Sequence, residues 1–456
     1  MVTEASEAKP IGRAVDSIVL SSGLARLVVT VTGPVTALLI LRFLSLEEQG
    51  YWYTFLGLIV IVNYAELGMG QVIMQFAAHE WGVKDSSGGV RSDNWNRLKS
   101  IFRTTLLVGL LTATAELLLA LAIGYVVLSS RGKSALDVQW LAPWIFVSIV
   151  APLNIILAFL NSFLEGCQMI VASNLRRSFQ SLAQVIAVLV VFSAGGKLWA
   201  LGAGQLASFL IGLVAIGLTK GLFVKEMLTG FRRNTQVSWR REIWPLQWRY
   251  AAGWATGPLT YGLFNPLIFA LAGPEAAGRF GFTFSIVSML SAYSQMWTAS
   301  RAAVFTRLNG GRRWSELKSL FERSVKHSVV TYGLAVGCLI VGLYIVNQRF
   351  PAVASRLLDP LSTLLLVAGG GFALLTFFIT YFVRSFKEEP FVRMAWINAV
   401  LVVILLPSGI IWFHARGASV AYVISQALVF PIAWRIYTKY RKRMQFNLDQ
   451  TQLGTV

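Results

Sequence analysis

Cysteine is nearly missing from this chain of 456 residues: Cys167 and Cys338 are the only two, too few for a disulfide framework or a cysteine-based metal site. Histidine is scarce as well. His79, His327 and His414 are dispersed, and no His/Asp/Glu pair has the spacing of metal ligands. No glycine-rich loop leads into Lys-Ser or Lys-Thr, which excludes a phosphate cradle for ATP. The run Gly369-Gly370-Gly371 lies inside an apolar stretch, where it suits a kink or close helix approach rather than a nucleotide. Charge is sparse at 13% of residues, and the acidic sign is the rarer, with 21 Asp and Glu against 40 Lys and Arg.

What is abundant is apolar surface. Hydrophobic residues make up 55% of the chain and the mean hydropathy is +0.63, more than a water-soluble surface carries. A bilayer core is crossed by helices of about 20 mostly apolar residues, since only a helix satisfies its own backbone in hydrocarbon. Twelve such runs are expected, at 17–44, 51–78, 102–128, 139–163, 178–194, 198–218, 250–271, 280–298, 328–346, 361–382, 395–413 and 418–436. With both termini cytoplasmic, 31 of the 40 Lys and Arg fall on the inner side and eight on the outer, with Arg26 inside a span. That asymmetry follows the positive-inside rule and explains the net charge of +19 without nucleic acid. The first apolar run is too long and too rich in Thr and Gly for a cleaved signal and is expected to remain as the first span.

Two landmarks recur. Trp95-Asn96-Arg97-Leu98-Lys99-Ser100-Ile101-Phe102 precedes the third run, and Trp314-Ser315-Glu316-Leu317-Lys318-Ser319-Leu320-Phe321 precedes the ninth, with five of eight positions identical. Glu47-Glu48-Gln49-Gly50 near the second run is echoed by Glu275-Ala276-Ala277-Gly278 near the eighth. Both pairs lie six spans apart, which implies a six-helix unit used twice in parallel orientation. The expected division is a tail 1–16, a first bundle 17–223, a basic cytoplasmic linker 224–249, a second bundle 250–437 and a tail 438–456. The Trp, Leu and Phe positions of the first landmarks fit an amphipathic helix on the inner interface, or an extension of the span that follows.

Ionisable groups inside spans cost roughly 2.5 to 3.5 kcal/mol each and call for a partner or a wet cavity. Arg26, Glu66 and Glu116 are the three inside the first half. A guanidinium facing a solvated lumen attracts phosphate, with the glutamates as partners or proton carriers; a purely structural Arg-Glu pair is the alternative. Asn63, Gln71, Asn154, Tyr261, Asn265 and Gln295 are candidates to line the same lumen, with Arg301 and Arg384 near its inner mouth. Proline inside the apolar runs, as at Pro152 and Pro258, breaks the helical ladder, as around transport cavities. The connections on the outer side, about 5 to 15 residues each, offer no room for a loop-borne catalytic set, so no enzyme is expected.

The stretch Leu46-Glu47-Glu48-Gln49-Gly50-Tyr51, followed by Ala65-Glu66-Leu67-Gly68-Met69-Gly70, resembles the second-span signature of bacterial polysaccharide flippases of the multidrug/oligosaccharidyl-lipid/polysaccharide (MOP) exporter superfamily. Gly273-Pro274-Glu275-Ala276-Ala277-Gly278-Arg279-Phe280 is similar to that family's eighth-span start. The resemblance implies an all-α, MATE-like fold with a V-shaped cationic lumen between two bundles. It implies transfer of a polyprenyl-pyrophosphate-linked oligosaccharide from the inner to the outer leaflet of the bacterial cytoplasmic membrane by alternating access. The tail would stay among membrane lipids, with a coupling ion, H+ or Na+, and no other cofactor, and a polysaccharide polymerase as partner. Span one has no aspartate of the kind that proton-coupled drug exporters of the superfamily use, and Arg26 occupies that helix instead. An ion-coupled drug exporter, a lipid-linked peptidoglycan precursor flippase and a membrane enzyme acting on polyprenyl-linked sugars are the rival readings.

Overall fold

The computed structural model describes Val28 and residues 31–83, 85, 89–130, 138–229, 237–386 and 388–453. Among these the chain is helical, with no strand. In order the helices are α1 (Val31–Phe43), α2 (Leu46–Asn63), α3 (Met69–Gly82), α4 (Ser92–Ser129), α5 (Leu141–Gly166), α6 (Ile170–Ser193) and α7 (Trp199–Leu228). There follow α8 (Trp244–Trp254), α9 (Phe264–Ala272), α10 (Pro274–Ala299), α11 (Ala302–Gly310), α12 (Trp314–Arg349), the short α13 (Pro351–Ala354), α14 (Pro360–Arg384) and α15 (Val392–Leu453). Seven helices are long and apolar enough to cross a membrane, or eight when the bent pair α2–α3 counts as one span. Their outer faces carry bare Leu and Val, such as Leu111 and Leu118 of α4 and Leu218 and Leu222 of α7, which suits hydrocarbon rather than water.

Several expected runs are interrupted, each for a chemical reason. Run 51–78 breaks at Leu67 and Gly68, both in the left-handed region (φ 49° and 73°), and the helix axis bends there by 41°. A β-carbon on Gly68 would lie 3.0 Å from Cδ1 of Trp254 and 3.2 Å from Cβ of Tyr250, so both the backbone angle and the neighbours demand glycine. Gly68→Ala is expected to lower stability by about 1–3 kcal/mol, read as an earlier midpoint in a denaturation titration of the purified protein. Run 250–271 is split by a π turn, Pro258–Gly262, because Pro258 has no N–H for the ladder. α15 contains two helices: His414 is non-helical (φ 52°, ψ −133°), and a β-carbon on Gly409 would come 2.6 Å from the carbonyl oxygen of Gly417. Residues eight apart in a straight helix are about 12 Å distant, so the chain folds back there, between the runs that end at 413 and start at 418.

The amphipathic landmarks are not separate interfacial helices. They form the amino-terminal ends of α4, 38 residues or about 57 Å long, and α12, 36 residues or about 54 Å, each exceeding a bilayer core of about 30 Å. Leu98 and Phe102, and likewise Leu317 and Phe321, are buried, so the apolar stripe of each landmark turns into its own helical core. That packing is what makes extension the better arrangement than an interfacial one.

The described residues divide into two compact units, one drawn from those within 28–44, 58–126 and 138–255, the other from those within 45–57, 127–130 and 256–453. The first is centred on Met69, Val72, Phe102, Phe159 and Phe163, with the rings of Phe102 and Phe163 5.0 Å apart. Within it Arg97 of α4 joins Glu80 of α3 (2.9 Å) to Glu242 (2.6 Å), and the Ser100 hydroxyl accepts from the Val237 amide. The second is centred on Phe305, Leu317, Phe378 and Phe382, and in it α2 starts against α10. There Gln49 Nε2 donates to the Gly278 carbonyl at 2.8 Å, and Tyr51 packs edge-on to Phe269. In the same unit the last helical arm is fastened to Glu388, which accepts hydrogen bonds from Tyr440 and, at 2.8 Å, from Arg443. α14 opens on Asp359, whose carboxylate caps Ser362 N (3.2 Å) and accepts from the Ser362 hydroxyl (2.6 Å), just before Pro360.

Candidate functional site

Helical periodicity builds a cavity of about 640 Å³ wholly inside the second unit. On α10, Phe284, Ser288, Ser291 and Gln295 recur at i, i+4, i+7 and i+11; on α14, Thr376, Thr380 and Arg384 do so at i, i+4 and i+8. Each series lies along one face of its helix and turns that face to the cavity. The two arms of α15 add Asn398 from one and Tyr422 and Gln426 from the other, and the π turn after α8 adds Thr260 and Tyr261. Aromatic rings form much of the wall: Phe377 and Tyr381 stand 4.5 Å apart, and Tyr422 sits edge-on to Phe284 at 5.4 Å. Among the described residues no carboxylate lines this cavity. Its one guanidinium, Arg384, grips both oxygens of Glu389 at 2.6 and 3.2 Å and is about half exposed.

Three of the lining residues retain polar atoms that are shut off from solvent and lack a hydrogen-bond partner: Thr376 Oγ1, Asn398 Oδ1 and Gln426 Nε2. Burying such atoms unpaired costs about 1–3 kcal/mol each, so a cluster of them around one cavity is unusual.

Of the residues anticipated from sequence, Tyr261 and Gln295 stand on this wall together with Arg384. Asn265 lies one turn further, in α9, with Oδ1 buried and unpartnered. Arg301 donates to the Ser324 hydroxyl of α12 at 2.9 Å, a bond that ties the start of α11 to its neighbour. The others belong to the first unit. Asn63 and Gln71 are exposed on either side of the α2–α3 break, and Glu66 is half-buried in the one-turn helix between them. Glu116, in mid-α4, is 1% exposed, and neither carboxylate oxygen has a hydrogen-bond partner among the described residues. Asn154 donates to the backbone carbonyl and the side-chain oxygen of Gln205, both at 3.2 Å, a clamp between α5 and α7. Arg26 lies outside the described residues. A further buried cation, Arg176, binds Asn161 Oδ1 through two nitrogens at 3.0 and 3.1 Å and Ser173 at 2.7 Å. No cluster of His, Cys, Asp and Glu among the described residues has the geometry to hold a metal ion.

Sequence reasoning missed Thr376, Tyr381, Asn398, Tyr422 and Gln426. The available signal was the hydroxyl-bearing Thr376 and Tyr381 in run 361–382 and the uncharged polar residues Asn398 in run 395–413 and Tyr422 and Gln426, one helical turn apart, in run 418–436.

No known family model matches the sequence, and no curated protein matches it significantly. Solved structures do share its fold. A multidrug-resistance MATE family transporter of the MOP superfamily in an inward-facing conformation superposes with a TM-score of 0.66 at 13% identity, covering 92% of this chain and 96% of that one. An outward-facing MATE structure gives 0.57 at 15% identity, with 96% of each chain covered. A MOP superfamily transporter from Pyrococcus furiosus Vc1 (DSM3638), described as having a binding pocket of reverse polarity that suggests a different function, gives 0.60 at 14% identity over 95% and 96%. The chain is thus a multi-pass membrane protein with the fold of the MATE transporters of the MOP superfamily.

Proposed function

We propose that this protein is an alternating-access flippase that carries a polyprenyl-pyrophosphate-linked oligosaccharide from the inner to the outer leaflet of the bacterial cytoplasmic membrane. The observation that carries the reading is the cavity without a carboxylate. A cationic drug taken out of water needs a counter-charge, and these walls offer none. An oligosaccharide needs hydroxyl, amide and aromatic surface, which is what Ser288, Ser291, Thr380, Asn398, Gln426 and Tyr381 supply. Structural neighbours in inward- and outward-facing conformations support alternate opening to the two sides. Arg26 is assigned to the pyrophosphate, and H+ or Na+ to the driving force, since no phosphate cradle for ATP exists in the sequence. A polysaccharide polymerase would consume the delivered product.

One observation favours a second reading. Glu66 and the buried Glu116 place two carboxylates in the first unit, and a proton-coupled exporter of cationic drugs would use such groups. Reconstituted vesicles separate the two. Delivery of a fluorescent polyprenyl-pyrophosphate oligosaccharide to the outer leaflet, lost in Arg26→Ala and partly kept in Arg26→Lys, is the expected result. Efflux of a cationic dye with no lipid delivery would overturn the flippase reading, and delivery unchanged in Arg26→Ala would remove that residue from the site.

A further inference from the structure

We propose that Asn398, Gln426 and Thr376 form a subsite in the second unit that reads the hydroxyls of a neutral sugar ring. The inference rests on the flippase reading and narrows which part of the substrate this cavity takes.

The three residues converge from different stretches of chain: Thr376 from α14, Asn398 from the first arm of α15 and Gln426 from the second. Asn398 and Gln426 are 8% and 5% exposed, and each of the three keeps one polar atom without a partner. Buried polar groups in membrane helices ordinarily bond across to a neighbouring helix. Here one acceptor (Asn398 Oδ1), one donor (Gln426 Nε2) and one hydroxyl that serves as either are left unpaired in the wall of the same void. A vicinal diol matches that set, because each sugar hydroxyl donates once and accepts as well. A turn about the terminal torsion of either amide, a soft rotation, presents it to a ligand.

The remaining wall agrees. Phe377 and Tyr381 offer ring faces, whose negative quadrupole suits the C–H face of a pyranose. Arg384 already holds Glu389 in a bidentate pair, so an anion entering here meets a guanidinium whose charge is spoken for. The volume of about 640 Å³ lies within the range of sites that enclose small molecules. A neutral, hydroxyl-rich ligand is the class that satisfies all of these at once.

The test uses the full-length protein in lipid nanodiscs, fluorescently tagged, on an array of neutral and acidic oligosaccharides. The wild type should retain at least one neutral glycan over empty nanodiscs. Asn398→Leu and Gln426→Met should each weaken that binding about tenfold or more, and Thr376→Val less, because each leaves a sugar hydroxyl unpaired. Asn398→Ser, which keeps a short polar group, should fall between; it also serves if Asn398→Leu does not elute as a single species. Retention of phosphorylated or carboxylated glycans alone, no retention at all, or neutral binding undiminished in Gln426→Met and Asn398→Ser would each overturn the subsite. The two readings fail separately. Lipid delivery that persists while the variants bind sugar normally removes the subsite and leaves the flippase. Sugar binding lost in the variants of a protein that delivers no lipid leaves the subsite and removes the flippase.

Discussion

Gly50→Leu is expected to leave no folded protein to purify. A β-carbon at Gly50 would fall inside the backbone carbonyl group of Pro274, and one at Gly278 would lie 2.7 Å from the Leu46 carbonyl oxygen and 3.0 Å from the Gly50 amide nitrogen. Backbone cannot step aside as a flexible side chain does, so the starts of α2 and α10 would have to part. That would forfeit the bond from Gln49 to the Gly278 carbonyl and the packing of Tyr51 on Phe269. In hydrocarbon, helices hold together through close packing of small residues rather than through the hydrophobic effect. The loss is put at more than about 3 kcal/mol, the upper end for an overpacked interior. Gly333→Leu is the matched control, since nothing lies within 4 Å of its β-carbon position. Size-exclusion chromatography after detergent extraction gives the readout. A Gly50→Leu variant that elutes and melts like the wild type would refute the packing described between α2 and α10.

The second large effect concerns Arg97, which holds two carboxylates at once. Glu80 is 5% exposed at its side chain and accepts from Arg97 Nε at 2.9 Å and from Asn94 Nδ2 at 2.5 Å. Glu242 accepts from Arg97 at 2.6 Å and from the Ser238 amide at 2.9 Å. Removing the guanidinium by Arg97→Met strands the buried Glu80, and breaking such a pair costs about 3 kcal/mol, the low end because Arg97 is itself one-third exposed. The acid side of the stability profile carries a second signature. The Ser238 amide, and after it the Arg97 guanidinium, hold the Glu242 carboxyl below the ordinary carboxylate range against the opposing effect of burial. A depressed carboxylate stabilises fully above its unfolded value, and that contribution disappears as pH falls through the folded one. Melting followed from about pH 7 to about pH 3 should therefore show a decline below the ordinary carboxylate value that is shallower in Arg97→Met. Parallel profiles for the two proteins would rule the network out as the source.

Much of this architecture was legible in the order of residues. Apolar run length indicates a membrane chain built of helices, but it does not announce the break inside run 51–78, which comes from the left-handed Leu67 and Gly68, the latter against Trp254. The echo of Glu47 and Gly50 in Glu275 and Gly278 suggests a repeat; the structure adds that these two segments touch through backbone, which no count of identities reveals. The cavity was less legible. Inside a bilayer the lipid-facing and core-facing sides of a helix are equally apolar, so hydropathy does not say which stripe of Ser and Thr looks inward. Charge drew attention to Arg26, Glu66 and Glu116 in the first half, whereas the described cavity is built mostly of uncharged side chains in the second. Asn398 and Gln426 stood in plain view as polar residues within apolar runs. What singles them out is the absence of a partner, a property of three dimensions.

The fastening of the last helical arm has a practical use. Tyr440 and Arg443 pin that arm to Glu388, and the helix continues to Leu453. A protein fused in continuous helical register shortly beyond Arg443 would inherit the orientation of the second unit. That makes a rigid handle for electron microscopy, where a small membrane protein otherwise offers little by which its particles can be aligned.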